Sequence, residues 1–188
     1  MKTKTDLRVV KTNKVLFDAL LKLMKEKNFE KIKISDICEE ALINRTTFYA
    51  HYEDKYELLL ALIDNLKDSF LNELKKNENE YLTKEYLIEL LKISLNHIDQ
   101  NREVYRSILS NNRNGILMDF LIEVMQRDME LRLKNNSEIL NSNVPLNVIV
   151  KFYVGGIINT VVEWVFNKEK YTKDDLILYF DKLIPSNI

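Results

Sequence analysis

The chain has 188 residues, of which 46% are hydrophobic, so it can bury a sizeable core and is not disordered throughout. With only 3 Gly and 2 Pro, it lacks the turn residues that an all-β sandwich or barrel normally needs. A single cysteine, Cys38, excludes an intrachain disulfide framework, and the charged residues after Met1 argue against a secretory signal. We therefore expect an all-α, cytoplasmic protein.

The net charge of −1 hides an asymmetry along the chain. Residues 1–33 hold ten Lys and Arg against four Asp and Glu, whereas residues 61–188 hold sixteen against nineteen. A basic N-terminal segment on an acidic body points to a polyanion partner at the N-terminus. A solvated, lysine-rich tail would give the same count, so charge alone leaves both interpretations open.

Apolar residues spaced three and four positions apart predict about nine helices and no strands. Residues 1–9 lack this spacing and are expected to form a mobile arm. The predicted helices cover residues 11–27, 35–41, 44–51, 54 to about 70, 83–98, 103–109, 117–133, 145–167 and 173–184. We predict one domain over residues 1–54 and a second over residues 55–188.

The second and third predicted helices are short, are joined by a tight turn and follow a longer packing helix, which is the pattern of a helix-turn-helix. Helices of about seven residues are not stable alone in water and need a shared core. The residues expected to supply it are Leu16, Leu20, Leu23, Ile37, Ala41, Ile43, Phe48 and Tyr52.

In a helix-turn-helix the second short helix enters the major groove, and its N-terminal residues reach the base edges. Here those residues are Asn44, Arg45, Thr46 and Thr47, with Asn44 at the favoured N-cap position. Arg45 can donate two hydrogen bonds to a guanine, and the two threonines can contact phosphate or a thymine methyl. Lys55 adds positive charge to the first turn of the next helix, which Asp54 is expected to cap.

Residues 32–60, IKISDICEEALINRTTFYAHYEDKYELLL, resemble the signature of TetR-family transcriptional regulators. The resemblance is dense over about 30 residues and extends from Lys11 to Leu66. It implies a dimeric operator-binding protein, with a DNA-binding domain over residues 1–54 and an effector-binding and dimerisation domain over residues 55–188. It also implies that Phe48 and Tyr52 pack inside the first of these domains. It also implies a DNA surface formed by Arg45, Thr46, Thr47, Tyr49, His51 and Lys55, the last three touching mostly the phosphate backbone.

Two positions depart from the pattern of that family. Leu42 stands in the inter-helix turn where many members have Gly, and a left-handed leucine there costs about 1 kcal/mol. Lys33 stands where many members have a capping Thr, and a lysine cannot accept an N–H bond. Either Ser35 shifts the helix start, or Asp36 serves the helix dipole instead.

Residues 145–184 resemble the closing helices of the family, which pair across a two-fold axis into a four-helix bundle. The helix over 145–167 is apolar on nearly all sides and needs more partners than one subunit offers, so we expect a homodimer through helices 145–167 and 173–184. Gly155 and Gly156 would allow close helix contact there. A helix buried within one chain is the alternative. The uncharged stretch 152–162 is too short to span a bilayer, and no membrane partner is expected.

Tyr105, Met125 and Trp164 are the candidates for an effector pocket among the middle helices, although ordinary core residues would show the same pattern. His51 and His97 have no partners at metal-ligand spacing, so no metal or cofactor is expected. The chain also lacks a Gly-rich phosphate loop and a nucleophile elbow, which disfavours an enzyme.

The sequence thus predicts a sequence-specific DNA-binding regulator, a ligand-responsive repressor that acts as a homodimer on a pseudo-palindromic operator. One alternative keeps the DNA-binding head and gives the C-terminal domain a partner protein in place of a small molecule. A second alternative, disfavoured by the missing catalytic motifs, is an all-helical enzyme.

Overall fold

The computed structural model describes residues 7–74, 83–113, 115–134, 143–167 and 169–185. These residues form nine α-helices and one 3-10 turn and contain no strand, as the sequence predicts. The helices are α1 (Leu7–Glu26), α2 (Ile34–Glu40), α3 (Arg45–Tyr49), α4 (Lys55–Leu74), α5 (Thr83–Gln100), α6 (Arg102–Asn112), α7 (Ile116–Leu133), α8 (Leu146–Phe166) and α9 (Lys173–Leu183), with the 3-10 turn at Phe29–Lys31.

The helix boundaries differ from the prediction by a few residues at most ends. The largest difference at an N-terminus is α1, which begins at Leu7 although the apolar period becomes regular only at Lys11. The expected mobile arm is therefore wrong for residues 7–9, which are helical, and its first six residues lie outside the described chain.

The chain divides into two compact units. Unit 1 comprises Met1–Asn65 and Ser107–Met118, and unit 2 comprises Leu66–Arg106 and Asp119–Ile188. The predicted boundary at residue 54 differs from this division in two places. It places the first half of α4 in the second domain, and it does the same with the segment from the end of α6 to the start of α7. Both segments pack with the N-terminal helices because their apolar and polar side chains find partners there.

Unit 1 has one apolar core shared by α1, α2, α3 and the start of α4. Six of the eight predicted core residues are buried, whereas Ala41 and Ile43 are only half-buried. Burying a side chain of this size stabilises the fold by about 1.5–3 kcal/mol, which a seven-residue helix needs. The buried members of the predicted set are Leu16, Leu20, Leu23, Ile37, Phe48 and Tyr52.

Helix α2 begins without a side-chain cap from its N-cap residue, Lys33. Asp36 takes over part of that role, because its carboxylate accepts the backbone N–H of Lys33 at 3.2 Å and the ammonium of Lys27 at 2.6 Å. These two bonds hold the pKa of Asp36 below its usual range. Of the two predicted solutions the structure uses Asp36, and the helix start is not shifted to Ser35.

Unit 2 is built around α8, which packs against α5, while α5 also packs against α9. Seven residues of α8 are buried, from Val150 to Val165. The helix is not covered on all sides, since Val148 is 50% and Phe152 is 72% exposed. Helix α9 begins with a capping box, in which the Thr172 hydroxyl and the Asp175 carboxylate each accept the backbone N–H of the other residue.

Helix α8 is longer than the uncharged stretch within it. Its 21 residues meet the length and composition requirement for a membrane span, a requirement that the core helix of a globular domain can also meet. Because its buried residues pack inside unit 2, we describe it as the central helix of that unit.

Candidate functional site

The N-terminus of α3 presents its first side chains to solvent. Asn44 occupies the N-cap position in an extended conformation, and its side chain makes no cap hydrogen bond. Asn44, Arg45 and Thr46 are exposed, and Thr47 is half-buried. The four residues that the sequence singles out for base contact therefore lie together at one helix end.

The opposite face of α3 anchors it in unit 1. The Phe48 side chain is fully buried and Tyr52 is 7% exposed, as the family resemblance implies. The Phe48 ring meets the Tyr49 ring edge-on at 5.5 Å, and Tyr49 is itself 57% exposed. Burial of Phe48 thus fixes the rotation of a five-residue helix and directs Tyr49 to the surface, whereas His51 is half-buried.

The chemistry of this surface suits base and phosphate recognition. Within the part of the chain that the structure describes, Arg45 makes no hydrogen bond or ion pair, so its planar fork of donors remains available. A guanidinium of this kind can donate two parallel hydrogen bonds to guanine. The contacts of individual residues with DNA remain predictions.

The structure gives Lys55 a different environment from the one that the sequence suggests. Its ammonium donates hydrogen bonds to the carbonyls of Phe29, Glu30 and Ile32, at 3.1, 3.0 and 3.0 Å. It also lies 4.7 Å from the centre of the Phe29 ring. Because an ammonium has three N–H donors, a contact with phosphate would require Lys55 to give up at least one of these bonds.

The N-terminus of α4 is occupied by carboxylates of the chain itself. Asp54 accepts the backbone N–H groups of Tyr56 and Glu57 at 2.8 and 2.9 Å, as predicted for its capping role. Glu57 accepts the backbone N–H of Glu53 at 2.6 Å. These N–H groups are therefore not open to a DNA phosphate in this conformation.

Cys38 and the histidines do not form a chemical site among the described residues. Cys38 is buried beside α3, and burial raises the pKa of its thiol, which disfavours the reactive thiolate. No cluster of three or more His, Cys, Asp or Glu that could hold a metal occurs in the described ranges.

The three candidate effector residues all lie in unit 2. Tyr105 sits edge-on to His97 at 5.9 Å, and burial raises the pKa of its hydroxyl to about 12. Trp164 is fully buried, and its indole N–H has no hydrogen-bond partner. Met125 is half-buried on α7.

Arg102 is the residue of this region that the sequence does not single out. Its guanidinium lies 4.0 Å from the centre of the Trp164 ring, and its Nη1 donates to the Trp164 carbonyl at 2.7 Å. Asp99 balances its charge at 3.1 Å. Tyr105 follows Arg102 by about one turn, so α6 carries one aromatic candidate and contacts the other, Trp164 of α8, through Arg102. The sequence signal for Arg102 is weak, because only its position beside the start of a predicted helix distinguishes it from the other arginines.

Comparison with known proteins covers both parts of the chain. Residues 16–62 match the family described as bacterial regulatory proteins, tetR family, and residues 85–186 match the transcriptional regulator C-terminal region TetR_C_8. The dhaKLM operon transcriptional activator DhaS of Lactococcus lactis is 29% identical over 103 residues, which are 55% of this chain and 51% of that protein. The chain thus matches about half the length of this relative.

Two solved structures show the same fold. A TetR transcriptional regulator from Streptococcus agalactiae has a TM-score of 0.66 at 24% identity, covering 95% of this chain and 96% of that one. The regulator FadR of Bacillus subtilis, solved in complex with stearoyl-CoA, has a TM-score of 0.58 at 17% identity and covers 93% and 98%.

The two matched regions include the helix-turn-helix with its exposed α3 and most of unit 2. Together with the all-helical fold, they show that this chain belongs to the TetR family of bacterial transcriptional regulators.

Proposed function

We propose that the protein binds double-stranded operator DNA as a homodimer and that a ligand in unit 2 controls this binding. Each subunit would place α3 in a major groove, and the two half-sites of a pseudo-palindrome would lie about 34–36 Å apart or a multiple of that distance. This function rests on membership of the family and on the geometry of α3.

One observation carries the proposal for DNA. Helix α3 is held from behind by the buried Phe48, while Asn44, Arg45 and Thr46 at its N-terminus are exposed. An exposed arginine without an ion pair in the described chain is free to read a base rather than to hold the fold together. The basic balance of residues 1–33 attracts the phosphate backbone in addition.

Selection of bound oligonucleotides from a random duplex pool tests this function. We expect a two-fold symmetric consensus, and we expect Arg45→Ala to lower affinity for it by about 1–3 kcal/mol and to relax the preference at one base position per half-site. Lys92→Ala is a matched control, since Lys92 lies on α5, outside the basic segment of residues 1–33, and pairs with Glu89 of the same helix. Unchanged affinity and sequence preference in Arg45→Ala would contradict base reading by α3.

The exposed apolar side chains of α8 and α9 support the homodimer. Val148 and Phe152 lie one turn apart on α8, and Leu183 at the end of α9 is 69% exposed. At Gly155 and Gly156 an added Cβ would meet no atom within 4 Å, so nothing in the described part of this chain explains why these positions are small. A second subunit that packs α8 and α9 against the same helices would cover this face and use the glycines.

The effector site is proposed to involve Tyr105, Met125 and Trp164. A buried N–H without an acceptor costs about 1–3 kcal/mol, and a bound ligand with a carbonyl or other acceptor would recover that cost at Trp164. Because Asp99 already balances the charge of Arg102, an uncharged acceptor group is the better partner for the Trp164 N–H.

The FadR structure contains stearoyl-CoA, so a long-chain acyl-CoA is the first ligand to test on this chain. Trp164 is the sole tryptophan, and its fluorescence should change on titration with stearoyl-CoA, with a dissociation constant confirmed by calorimetry. Trp164→Phe keeps an aromatic side chain but removes the N–H donor, and we expect this variant to bind stearoyl-CoA about tenfold less tightly by calorimetry. Absence of binding by a panel of acyl-CoAs, together with capture of a specific protein, would favour the partner-protein alternative.

We propose repression in the cytoplasm as the mode of action. Occupancy of an operator is sufficient to block transcription, whereas activation requires an additional contact with the transcription machinery. The relative DhaS is an activator by name, so a reporter fused to the selected operator, with and without the protein, decides the sign.

A further inference from the structure

The turn that leads from α1 into the helix-turn-helix is held by side chains from outside that motif. Asn112, the last residue of α6, is the one buried polar or charged residue among those described, with 2% exposure. Its Oδ1 accepts the backbone N–H of Phe29 at 2.7 Å. Its Nδ2 donates to the carbonyls of Met24 and Ile108 at 3.3 and 2.8 Å. All these atoms belong to unit 1.

The neighbouring asparagines extend this contact. Asn28 donates from its side chain to the Asn111 carbonyl at 2.7 Å, and Asn111 donates from its side chain to the Lys25 carbonyl at 2.9 Å. The end of α6 is therefore bonded to the end of α1 and to the start of the 3-10 turn by four hydrogen bonds across more than 80 positions of sequence.

Lys55 binds the backbone of the same residue, Phe29, at its carbonyl. Asn112 accepts a hydrogen bond from the N–H of Phe29. The Lys55 ammonium donates hydrogen bonds to the carbonyl of Phe29 and to those of Glu30 and Ile32. The Phe29 ring is 1% exposed, so the turn is fixed through both its backbone and its side chain. Helix α2 starts only three residues after this turn, at Ile34.

We propose that Asn112 is a positioning residue for operator binding. Together with Lys55, which binds the Phe29 carbonyl, it forms a clamp on the backbone of Phe29, and this clamp sets the position from which α2, and through it α3, begin. Asn112 lies outside both the matched N-terminal region and the helix-turn-helix. The inference rests on the proposed DNA-binding function, since its consequence is read on DNA.

The clamp makes a specific demand on α6. Its last residue must remain opposite Phe29 for the buried N–H to be paired, because no water can replace a partner at 2% exposure without the packing opening. A displacement of the end of α6 would therefore shift the Phe29–Lys31 turn first and then the position of α3. The residues proposed to contact DNA would themselves be unchanged.

The test compares Asn112→Leu with Ile108→Val in the full-length protein. Leu has a similar size but lacks both hydrogen-bonding groups, whereas Ile108→Val weakens packing on the same face of α6 and leaves the Phe29 bond intact. At a temperature where both variants are fully folded by circular dichroism, we expect Asn112→Leu to bind the selected operator about tenfold more weakly, the loss expected when one base pair is misread. Binding to a scrambled duplex should change less than threefold, and Ile108→Val should bind both duplexes as the native protein does.

Backbone hydrogen exchange supplies a second readout, independent of DNA. The Phe29 amide should exchange faster in Asn112→Leu than in Ile108→Val. If Asn112→Leu does not fold, Asn112→Ser shortens the side chain without adding apolar bulk and is expected to show the same loss of operator preference.

The outcomes separate this inference from the proposed function. Equal operator affinity and equal Phe29 exchange in a folded Asn112 variant would overturn the positioning role while leaving DNA binding intact. Failure of the native protein to bind any duplex would overturn the DNA-binding function instead, and the exchange of the Phe29 amide would still decide whether the clamp exists.

Discussion

Leu42 combines two unfavourable features at a single residue. Its φ of 54° places it in the left-handed region, and its side chain is 92% exposed. A non-glycine residue in this region costs about 1–2 kcal/mol because Cβ approaches the following carbonyl oxygen. The short turn between α2 and α3 requires this conformation, so the chain accepts the strain that a glycine would avoid.

Leu42→Gly should therefore raise the free energy of unfolding. The relief of strain exceeds the greater backbone entropy that glycine has in the unfolded chain, about 0.4–1 kcal/mol, so we expect a net gain of up to about 1 kcal/mol in urea titration. Leu42→Ala keeps the Cβ and should leave stability nearly unchanged. Equal gains in both variants would show that the exposed side chain, rather than the backbone, sets the cost.

Lys55 shows how one residue can serve two requirements. The family resemblance places it at the phosphate backbone, while the structure places its ammonium on three carbonyls of the turn Phe29–Lys31 and its flanking residue Ile32. In the proposed complex it either keeps these bonds and acts on DNA through the turn, or exchanges one of them for a phosphate. The clamp formed with Asn112 requires that Lys55 keep its bond to the Phe29 carbonyl.

At the scale of a helix, α2 shows how a capping defect is compensated. Lys33 cannot accept an N–H bond, and Asp36 three residues later supplies the acceptor and an ion pair with Lys27. Because the hydrogen bond from Lys27, followed by that from the Lys33 backbone, lowers the pKa of Asp36, the folded state is stabilised at any pH above the ordinary value of 3.8. That contribution is lost as the pH falls through the lower pKa of the folded protein.

Helices α3 and α6 differ in how their ends are used. The N-terminus of α3 is left open, with no side-chain cap from Asn44, whereas the C-terminus of α6 is closed by Asn112 against Phe29. An open helix end offers N–H groups and side chains to a ligand, and a closed end fixes the position of an element. The two ends thus match the roles proposed for them, contact with DNA and positioning of the motif.

At the scale of the whole molecule, the exposed faces of α8 and α9 predict the assembly. Phe152→Glu places a charge at a position that is 72% exposed in the single chain, so the fold should be unaffected while a dimer that buries this residue should dissociate. Sedimentation velocity should then report the 22.3 kDa of one chain where the native protein gives twice that mass.

Val10→Glu on α1 is the control for this prediction. Val10 is 50% exposed but lies on α1 in unit 1 and belongs to neither α8 nor α9, so this variant should sediment as the native protein does. The monomeric Phe152→Glu should bind a palindromic operator much more weakly, since each chain would hold only one half-site. A Phe152→Glu protein that keeps the native mass would contradict an interface through this face.

The sequence by itself determined the helices and which side chains of α3 and its flanking residues face the core or solvent. Apolar spacing predicts every helix within a few residues, and the segment from Asn44 to Tyr52 shows which side chains face the core, because a helix turns its faces with a fixed period. The prediction from helical period was less accurate at the turn between α2 and α3. Ala41 and Ile43 were predicted as core residues but are half-buried, because the helical period does not apply in the turn.

Only the tertiary structure decided which polar groups meet. The bonds of Asn112 and Asn28 join positions 83 residues apart, and the partners of Lys55 are backbone carbonyls that every residue possesses. A sequence shows neither kind of partner, because a hydrogen bond depends on distance and direction within a packed structure and not on spacing along the chain. For the same reason, the assignment of residues 107–118 to unit 1 came from packing alone.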